Sequence, residues 1–357
     1  MAIYIQSAEA ISPQDTFRPD SLSFLSPKSE GLRQLPEEGY YTCIHPDYKQ
    51  MINPTSLRRM SPLVRMGMAA SKVCMEEAGL EKPDAILVGS GLGCVRDTVK
   101  FLNQVTDNQE LLLNPTAFIQ STHNTVSGQI ALMLGCRAYN LTFSQNTISF
   151  ETALLEGMML LDEGQARNIL LGGIDEVVEE SYRLLDKNGC VNGPVGEGCN
   201  FFVISSERSG KSMARVDGLE MLNRCEKPEE LTGYTLSFLA SKGVAAGEID
   251  LFVSGRNGDD GYAHIYSQLE KLFPADKVMA YKHLVGEYHT ASAFGMWLSA
   301  RLIRENGFPD SELLHPKETG SDTETGLAGS LPIRRALLFN QNKGRDFTWI
   351  LISHPDT

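Results

Sequence analysis

The sequence predicts an α/β protein built from two similar halves. The stretch from Tyr139 to Glu176 has the pattern of a strand, a tight turn, a helix and a second strand that closes with Gly172-Gly173. A similar alternation of strands and helices follows from residue 249 onward. The helical segments FETALLEGMMLL and TASAFGMWLSARL take corresponding places, and each carries small residues early and one interior glycine. Strands and helices that alternate in this way predict a sheet covered by helices.

The first elements can be assigned from the N-terminus onward. MAIYIQSAEAIS is a strand-like start, and six prolines make residues 1–60 rich in loops. Residues 60–80 predict an amphipathic helix in which Ser61 is the N-cap and Pro62 is the first helical residue. Residues 84–91 predict a buried strand that runs into a glycine turn. The run GSGLG at 89–93 lacks the third glycine of a dinucleotide fingerprint, so we do not expect it to bind a phosphate.

Between residues 143 and 150 lies the predicted turn of the first half. Ser144, Gln145, Asn146, Thr147 and Ser149 are small or polar residues that suit a turn and a helix N-terminus. Apolar residues then recur at helical spacing. In an α/β sheet such a turn lies at the carboxyl end of a strand, where free backbone N–H groups favour ligands and nucleophiles.

The second half predicts strands at 249–254, 277–281, 336–342 and 347–353, and helices at 262–272 and 290–306. The polar, turn-rich segment 205–211 is the best boundary between the halves. An interior helical glycine costs roughly 1 kcal/mol relative to alanine. We therefore expect Gly157 and Gly295 to allow two central helices to cross closely.

Composition narrows the classes of function. A net charge of −13 over 357 residues argues against a nucleic acid or an anionic membrane as partner. The chain has no apolar run of the roughly 18–20 residues that a membrane span needs. Seven scattered cysteines form neither a CxxC pair nor a Cys/His set with metal spacing, which favours reduced thiols in the cytoplasm. We expect no metal and no cofactor.

The stretch from Tyr139 to Glu176 resembles the nucleophile elbow of the β-ketoacyl synthases. In that family a small-residue turn carries a nucleophilic cysteine, a helix follows, and a strand ends in Gly-Gly before acidic residues. Counting back from Gly172-Gly173 through Gly164 places the cysteine position at Thr147, and no cysteine lies between Cys136 and Cys190. Gly196-Glu197-Gly198 resembles a second motif of the family, in which glycines allow backbone to approach backbone.

This resemblance implies a thiolase-like fold with αβαβα layers and two pseudo-repeated halves. The first half, with the ketosynthase-like elbow, is expected at residues 1–208 and the second at 209–357. The resemblance covers residues 55–355 approximately.

The resemblance also implies positions for the two histidines of ketosynthase chemistry. The first falls on Arg256, in the turn SGRNGD, and the second on Glu287, in KHLVGE, where Lys282 is retained. A threonine hydroxyl without a base is a poor nucleophile, so we expect no catalytic residue among Thr147, Arg256 and Glu287. We expect Arg256 and Glu287 to face each other as an ion pair that fills the site.

A ketosynthase-like chain without its cysteine resembles the chain length factors of fatty acid and polyketide biosynthesis, including the aryl-polyene type. The resemblance implies a heterodimer with an active ketosynthase, in which residues near Asn114–Val126 restrict product length. Tunnel positions are expected at Pro115, Phe118, Asn124 and Gln145. An acyl carrier protein would dock through the complex, and its acidic surface would suit the basic cluster of Arg58, Arg59 and Arg65. His123 is expected to have no ligand role.

Two alternatives remain open. The chain is an active 3-oxoacyl-[acyl-carrier-protein] synthase-type acyltransferase with an atypical site, for which His283 or His289 would be the base. Otherwise it is a homodimeric acyl-binding scaffold without an enzymatic partner.

Overall fold

The computed structural model describes residues 2–18, 22–25, 39–111, 113–225, 227–307 and 332–357. These residues form one continuous sheet of ten strands. The strands are β1 (Ile3–Ile11), β2 (Ala85–Gly89), β3 (Tyr139–Phe143), β4 (Asn168–Asp175), β5 (Gly198–Ser205), β6 (Ala214–Asn223), β7 (Leu251–Ser254), β8 (Val278–Ala280), β9 (Arg335–Asn342) and β10 (Asp346–Ser353).

The strand order shows the internal repeat. Across the sheet it is β3-β2-β4-β5-β1-β6-β10-β9-β7-β8. Each half contributes five strands. When the strands of each half are numbered 1 to 5 along the chain and read from the outer edge inward, both halves have the order 3-2-4-5-1. In both halves the second strand pairs in parallel with the third and the fourth, and the fifth pairs antiparallel with the fourth and the first. The predicted α/β fold with two pseudo-repeated halves is confirmed. The division after residue 208 falls between β5 and β6 and stays a prediction, because the sheet is continuous there.

The two halves of the sheet form two layers, and the helices form three more. The helices are α1 (Pro54–Leu57), α2 (Pro62–Ala78), α3 (Val95–Asp107), α4 (Pro115–Gln120), α5 (Thr125–Leu134), α6 (Ser149–Asp162), α7 (Glu179–Lys187), α8 (Leu231–Ser241), α9 (Ala263–Glu270), α10 (Lys282–Val285) and α11 (Ala291–Glu305). α6 and α11 share one buried cluster with strands of both halves, so they form the middle layer. α2 and α5 cover the outer face of the first half, and α8 and α9 cover that of the second. This arrangement gives the predicted αβαβα layers.

The boundaries of α2 follow from its sequence. Pro62 is its first residue, where the missing N–H costs nothing. The helix stops at Gly79, whose φ of 74° is the left-handed conformation that glycine adopts readily. Ser61 occupies the N-cap position as predicted, although its side chain makes no capping hydrogen bond.

The expected role of the two interior glycines is wrong. A Cβ at Gly157 would lie 3.0 Å from Ile204 and 3.3 Å from Leu87, which are both residues of the sheet. A Cβ at Gly295 would lie 2.8 Å from Leu338 of β9 and 3.0 Å from Tyr281. Each glycine therefore lets its helix approach the sheet closely, rather than the other central helix.

Two features of composition can be checked directly. None of the helices in the described ranges combines the length and the apolar character needed to cross a bilayer. All seven cysteines are free, and five of them are buried. Burial suits their role as small apolar side chains.

Candidate functional site

The turn between β3 and α6 holds the position predicted for a nucleophile. After Phe143 the chain passes through a short 3₁₀ turn, Asn146–Ile148, into α6. Asn146 has a φ of 52°, a left-handed conformation that asparagine tolerates better than most residues. The backbone therefore reverses sharply directly before Thr147, as an elbow requires.

The Thr147 hydroxyl has no chemical partner in this elbow. Its Oγ1 is buried and makes no hydrogen bond within the described part of the chain. Neighbouring polar side chains, by contrast, are hydrogen-bonded to backbone or side-chain groups of the turn. The Ser149 hydroxyl accepts from the Gln145 N–H at 2.8 Å and donates to the Asn146 carbonyl at 2.6 Å, and Thr152 donates to Gln145 Oε1 at 2.5 Å. An alcohol with no base beside it is a weak nucleophile at neutral pH.

The glycine turn after β2 binds a side chain of the protein itself. Asp175 Oδ1 accepts from the N–H of Gly91 at 2.8 Å and from the Ser90 hydroxyl at 3.2 Å. Its Oδ2 accepts from the N–H and the hydroxyl of Thr290, at 2.9 and 2.8 Å. Burial raises the pKa of Asp175, and the nearby His289 opposes that rise. These amides are therefore occupied by Asp175 and are not available to a nucleotide phosphate.

In the second half, Lys282 and Glu287 form a buried ion pair. Lys282 Nζ lies 2.6 Å from Glu287 Oε2 and 2.8 Å from Asn340 Oδ1. Asn257 Nδ2 donates to the same carboxylate oxygen at 2.8 Å. The Lys282 side chain is 1% exposed and that of Glu287 29% exposed. A desolvated ammonium must be paired to be tolerated, and these contacts pair it.

The expected ion pair between Arg256 and Glu287 is wrong. Arg256 instead bonds to Glu270 of α9, through Nε at 3.3 Å and through Nη2, and to the Ser267 hydroxyl at 3.0 Å. The physical reason is local. Lys282 already neutralises Glu287, and Glu270 on the neighbouring helix neutralises Arg256.

The backbone of Glu287 is fixed in place by the glycine motif before β5. The Glu287 N–H donates to the Pro194 carbonyl at 2.6 Å, and the Glu287 carbonyl accepts from Gly196 at 3.0 Å. A Cβ at Gly196 would lie 1.8 Å from the Val285 carbonyl oxygen. Only glycine fits there, so the prediction that this motif serves close backbone approach is confirmed at Gly196.

A third ionisable group lies where the two halves meet. Glu151, in the first turn of α6, is fully buried, and its Oε1 accepts from the Thr348 hydroxyl of β10 at 3.1 Å. Burial raises the pKa of Glu151 to about 7, and the hydrogen bond from Thr348 and the charge of Lys282 partly oppose the rise. The elbow helix and the Lys282 site are therefore linked electrostatically.

The β3 edge of the sheet is apolar and open. Among the described residues, β3 has a sheet neighbour on one side only, and Tyr139 and Leu141 are 46% and 38% exposed. The adjacent helices add Leu132 of α5, at 75%, and Leu155 and Met159 of α6. An exposed apolar face beside an unpaired strand is typical of a surface that binds another protein.

The predicted tunnel positions lie on the same half of the molecule but not inside it. Pro115, Phe118 and Asn124 are exposed on α4 and on the turn into α5. Phe118 contacts Phe101 of α3, with ring centroids 5.4 Å apart. Gln145 is exposed in the elbow. A role in bounding a tunnel would need a second chain to cover these residues.

The basic cluster does not form one face. Arg58 and Arg59 are exposed after α1, whereas Nε of Arg65 is buried in α2. The charge of Arg65 lowers the pKa of His45, after the larger effect of desolvation. Arg58 and Arg59 are therefore exposed as a docking surface for an acidic carrier would require, whereas Arg65 is half-buried.

Sequence reasoning missed three members of the site, which are Asn257, Asn340 and Glu151. Asn340 interrupts the apolar strand β9, and a buried amide in such a strand is the one signal that could have marked it. Asn257 and Glu151 follow no local pattern, because their partners are 30 and 197 residues away in the chain.

Comparison with known families agrees with this geometry. Residues 41–217 match the family model of the β-ketoacyl synthase N-terminal domain. That match includes the elbow, the Asp175 turn and the glycine motif before β5. No curated protein sequence matches the chain.

Solved structures with this fold span the whole chain. The ishigamide ketosynthase/chain length factor has a TM-score of 0.79 at 16% identity, and the match covers 99% of this chain and 98% of its own. A chain from the complex of the ketosynthase ApeO with its chain length factor ApeC, from Xenorhabdus doucetiae, gives 0.72 at 14%, with 99% and 98% covered. A chain from AntDE:AntF, a type II PKS acyl-carrier protein in complex with its ketosynthase, gives 0.73 at 14%, with 99% of each chain covered.

Proposed function

The chain belongs to the β-ketoacyl synthase family, and we propose that it is a subunit of that family with no condensing activity of its own. In this proposal it forms a heterodimer with an active ketosynthase and bounds the acyl tunnel of the pair, which is the role of a chain length factor. The acyl groups belong to fatty acid or polyketide biosynthesis, of the aryl-polyene type, and an acyl carrier protein delivers them to the complex.

The observation that carries the proposal is the elbow without a working nucleophile. The backbone reverses at Asn146 as it would to present a thiol, yet Thr147 presents a buried hydroxyl with no base bonded to it. Condensation through a covalent acyl intermediate needs a group that ionises readily. Thr147 does not meet that requirement.

The charge at position 287 works in the same direction. A malonyl thioester brings a carboxylate and passes through an enolate, and both would approach Glu287. Two like charges about 4 Å apart repel by at most about 4 kcal/mol at an effective dielectric constant near 20, and Lys282, 2.6 Å from Glu287, offsets part of that repulsion while its ammonium is no longer available to an incoming anion. The site therefore disfavours the intermediate that a ketosynthase must stabilise.

The surface around β3 supports the choice of a protein partner. Its unpaired strand offers backbone hydrogen bonds, and the exposed Tyr139, Leu141 and Leu132 offer apolar contact. Permanent subunit interfaces are large and more apolar than the remaining surface. A second ketosynthase-like chain on this edge would also cover α4 and the turn into α5, where the proposed tunnel residues lie.

Co-expression with a cysteine-bearing ketosynthase tests the proposal. The chain alone should neither take up a radiolabelled acyl group nor condense malonyl units, and the purified pair should do both. Condensation by the lone chain that Thr147→Ala abolishes would contradict the proposal. A stable homodimer that captures no ketosynthase would favour the scaffold alternative.

A second candidate, an active acyltransferase, has one observation in its favour. The Ser144 hydroxyl of the elbow donates to the Gly91 carbonyl at 3.1 Å, and the His289 ring lies directly against Gly91. An imidazole is therefore close to the turn. Mass spectrometry after incubation with an acyl thioester distinguishes this candidate, because it requires a covalent acyl adduct that His289→Ala removes.

A further inference from the structure

The Glu287 carboxylate accepts from two donors whose arrangement suits a carboxylate. Lys282 Nζ and Asn257 Nδ2 converge on one oxygen, Glu287 Oε2, at 2.6 and 2.8 Å. Asn340 Oδ1 holds the same ammonium from another side at 2.8 Å. An ammonium and an amide that meet at one anionic oxygen form a charge-assisted binding arrangement.

We propose that these donors form a carboxylate-binding subsite that the chain fills with its own Glu287 side chain. The inference rests on the proposed function, because it explains how a site that retains its lysine is closed to an acidic substrate. The ligand class is a small carboxylate, and Glu287 is its covalently attached substitute.

The burial of these side chains indicates that an added carboxylate could replace that of Glu287 if the Glu287 side chain were shortened. The Lys282 side chain is 1% exposed, so its ammonium lies in the interior, whereas the Glu287 side chain is 29% exposed and opens towards solvent. The backbone at Glu287 is held by Pro194 and Gly196, independently of the side chain. Glu287→Ala should therefore keep the backbone and leave a void of the size of acetate beside Lys282 and Asn257.

One other carboxyl group competes for Lys282. The charge of Lys282 acts on Glu151, which also bonds to Thr348. Glu151 is anchored in α6, so we expect it to stay with Thr348 and not to replace Glu287. If Glu151 did move to Lys282, the shortened variant would bind no added carboxylate.

The test is chemical rescue of thermal stability in the full-length chain. Glu287→Ala should melt below the wild type, and sodium acetate should raise its melting temperature in a saturable way. Sodium chloride of equal ionic strength should not raise it. The rise should be about 2–4 °C at roughly ten times the dissociation constant. The wild type should show no acetate-specific shift, because Glu287 fills its subsite. The double variant Lys282→Met/Glu287→Ala should show none either, because it lacks the ammonium.

Three results would overturn the inference. They are a Glu287→Ala variant that is folded but indifferent to acetate, an equal acetate shift in the wild type, and a shift that persists without Lys282. If Glu287→Ala does not fold in either salt, Glu287→Gln decides, since it keeps the shape and removes the charge. The inference requires Glu287→Gln to melt below the wild type, and equal melting temperatures would refute it. These melting temperatures are measured on the chain alone. A negative result would refute the carboxylate subsite only, because the proposed function is contradicted by a different result, which is condensation by the lone chain.

Discussion

The two halves of the molecule share one strand order but differ at their outer edges and at their sites. The third strand of the first half, β3, has five residues, of which three are exposed. Its counterpart β8 has three residues, of which two are buried and one is half-buried. The elbow of the first half holds an unbonded hydroxyl, whereas Lys282 and Glu287 of the second half are bonded. The first half is therefore open to a partner, and the second is closed.

Edge strands explain why this difference matters. An unpaired strand can pair with another chain, and proteins shorten or cover edges that should remain single. β8 follows that rule, and β3 breaks it while adding apolar helices on both sides. This contrast between two equivalent edges is what the proposed binding of a partner at β3 requires.

The largest expected effect contrasts two ion pairs. Glu287→Met leaves the Lys282 ammonium buried without its counter-ion, and we expect a loss of about 3–5 kcal/mol in the free energy of unfolding. The matched change, Glu270→Met, leaves Arg256, whose side chain is 25% exposed, in contact with water and removes the acceptor of the buried Ser254 hydroxyl, so it should cost about 2 kcal/mol. Urea unfolding of both variants measures the difference. Equal losses would show that the second-half site is not closed as described.

Stability against pH tests the point where the halves meet. The pKa of Glu151 is about 7 in the fold and near 4.5 in the unfolded chain. The unfolded state therefore loses its proton first as pH rises. The contribution of Glu151 to the free energy of unfolding is fully present below pH 4.5 and is lost by about pH 7. This change amounts to about 3 kcal/mol.

Burial also raises the pKa of Glu9 and of Glu176 to about 7, so the wild type should lose stability steeply over this range. Glu151→Gln should make that slope shallower without abolishing it, because burial also raises the pKa of Asp97 and Asp175. Urea unfolding at pH 5 and pH 8 provides the measurement. An unchanged slope in the variant would mean that the fold does not raise the pKa of Glu151.

The open edge is tested by a charge on β3. Leu141→Asp should lower affinity for a co-expressed ketosynthase about a hundredfold, because it places an unpaired carboxylate in an apolar interface. Leu236→Asp on α8 is the matched control, since Leu236 has similar exposure in the second half, and it should leave binding unchanged. Loss of binding in both variants, or in neither, would remove the contrast between the edges.

The smallest effect concerns the elbow. Thr147→Val replaces a buried, unbonded hydroxyl with a methyl group and should raise the free energy of unfolding by about 1 kcal/mol. Thr152→Val removes the Thr152 hydroxyl, which bonds to Gln145 Oε1 and to the Ile148 carbonyl. This change should lower the free energy of unfolding by a similar amount. Thermal unfolding compares the two. Destabilisation by Thr147→Val would show that its hydroxyl has a partner.

Local patterns in the sequence were sufficient to predict the elements around the elbow. The apolar run before the turn gave β3, the helical spacing gave α6, and Ser61 with Pro62 marked the start of α2. Such signals lie within a few residues of each other, so one sequence contains them. The prediction did not include β6, α3, α7 or α8.

Side-chain partners were predicted less well, because they depend on contacts across the fold. Arg256 pairs with Glu270 rather than Glu287, since α9 brings Glu270 to the same strand end. Gly157 and Gly295 contact the sheet, which the helical spacing of either segment does not specify. Glu151 looks like a solvent-facing position of α6, and only the packing of β10 and α11 around it makes it a buried acid.

Reciprocal inactivation in the reconstituted pair tests the central claim most directly. The initial rate of condensation is measured with alanine at the partner's nucleophilic cysteine in one preparation, and with Thr147→Ala in this chain in the other. The account predicts that the first change abolishes product and that the second leaves the rate unchanged. A pair that depends on Thr147, or one that still condenses without the partner's cysteine, would contradict it.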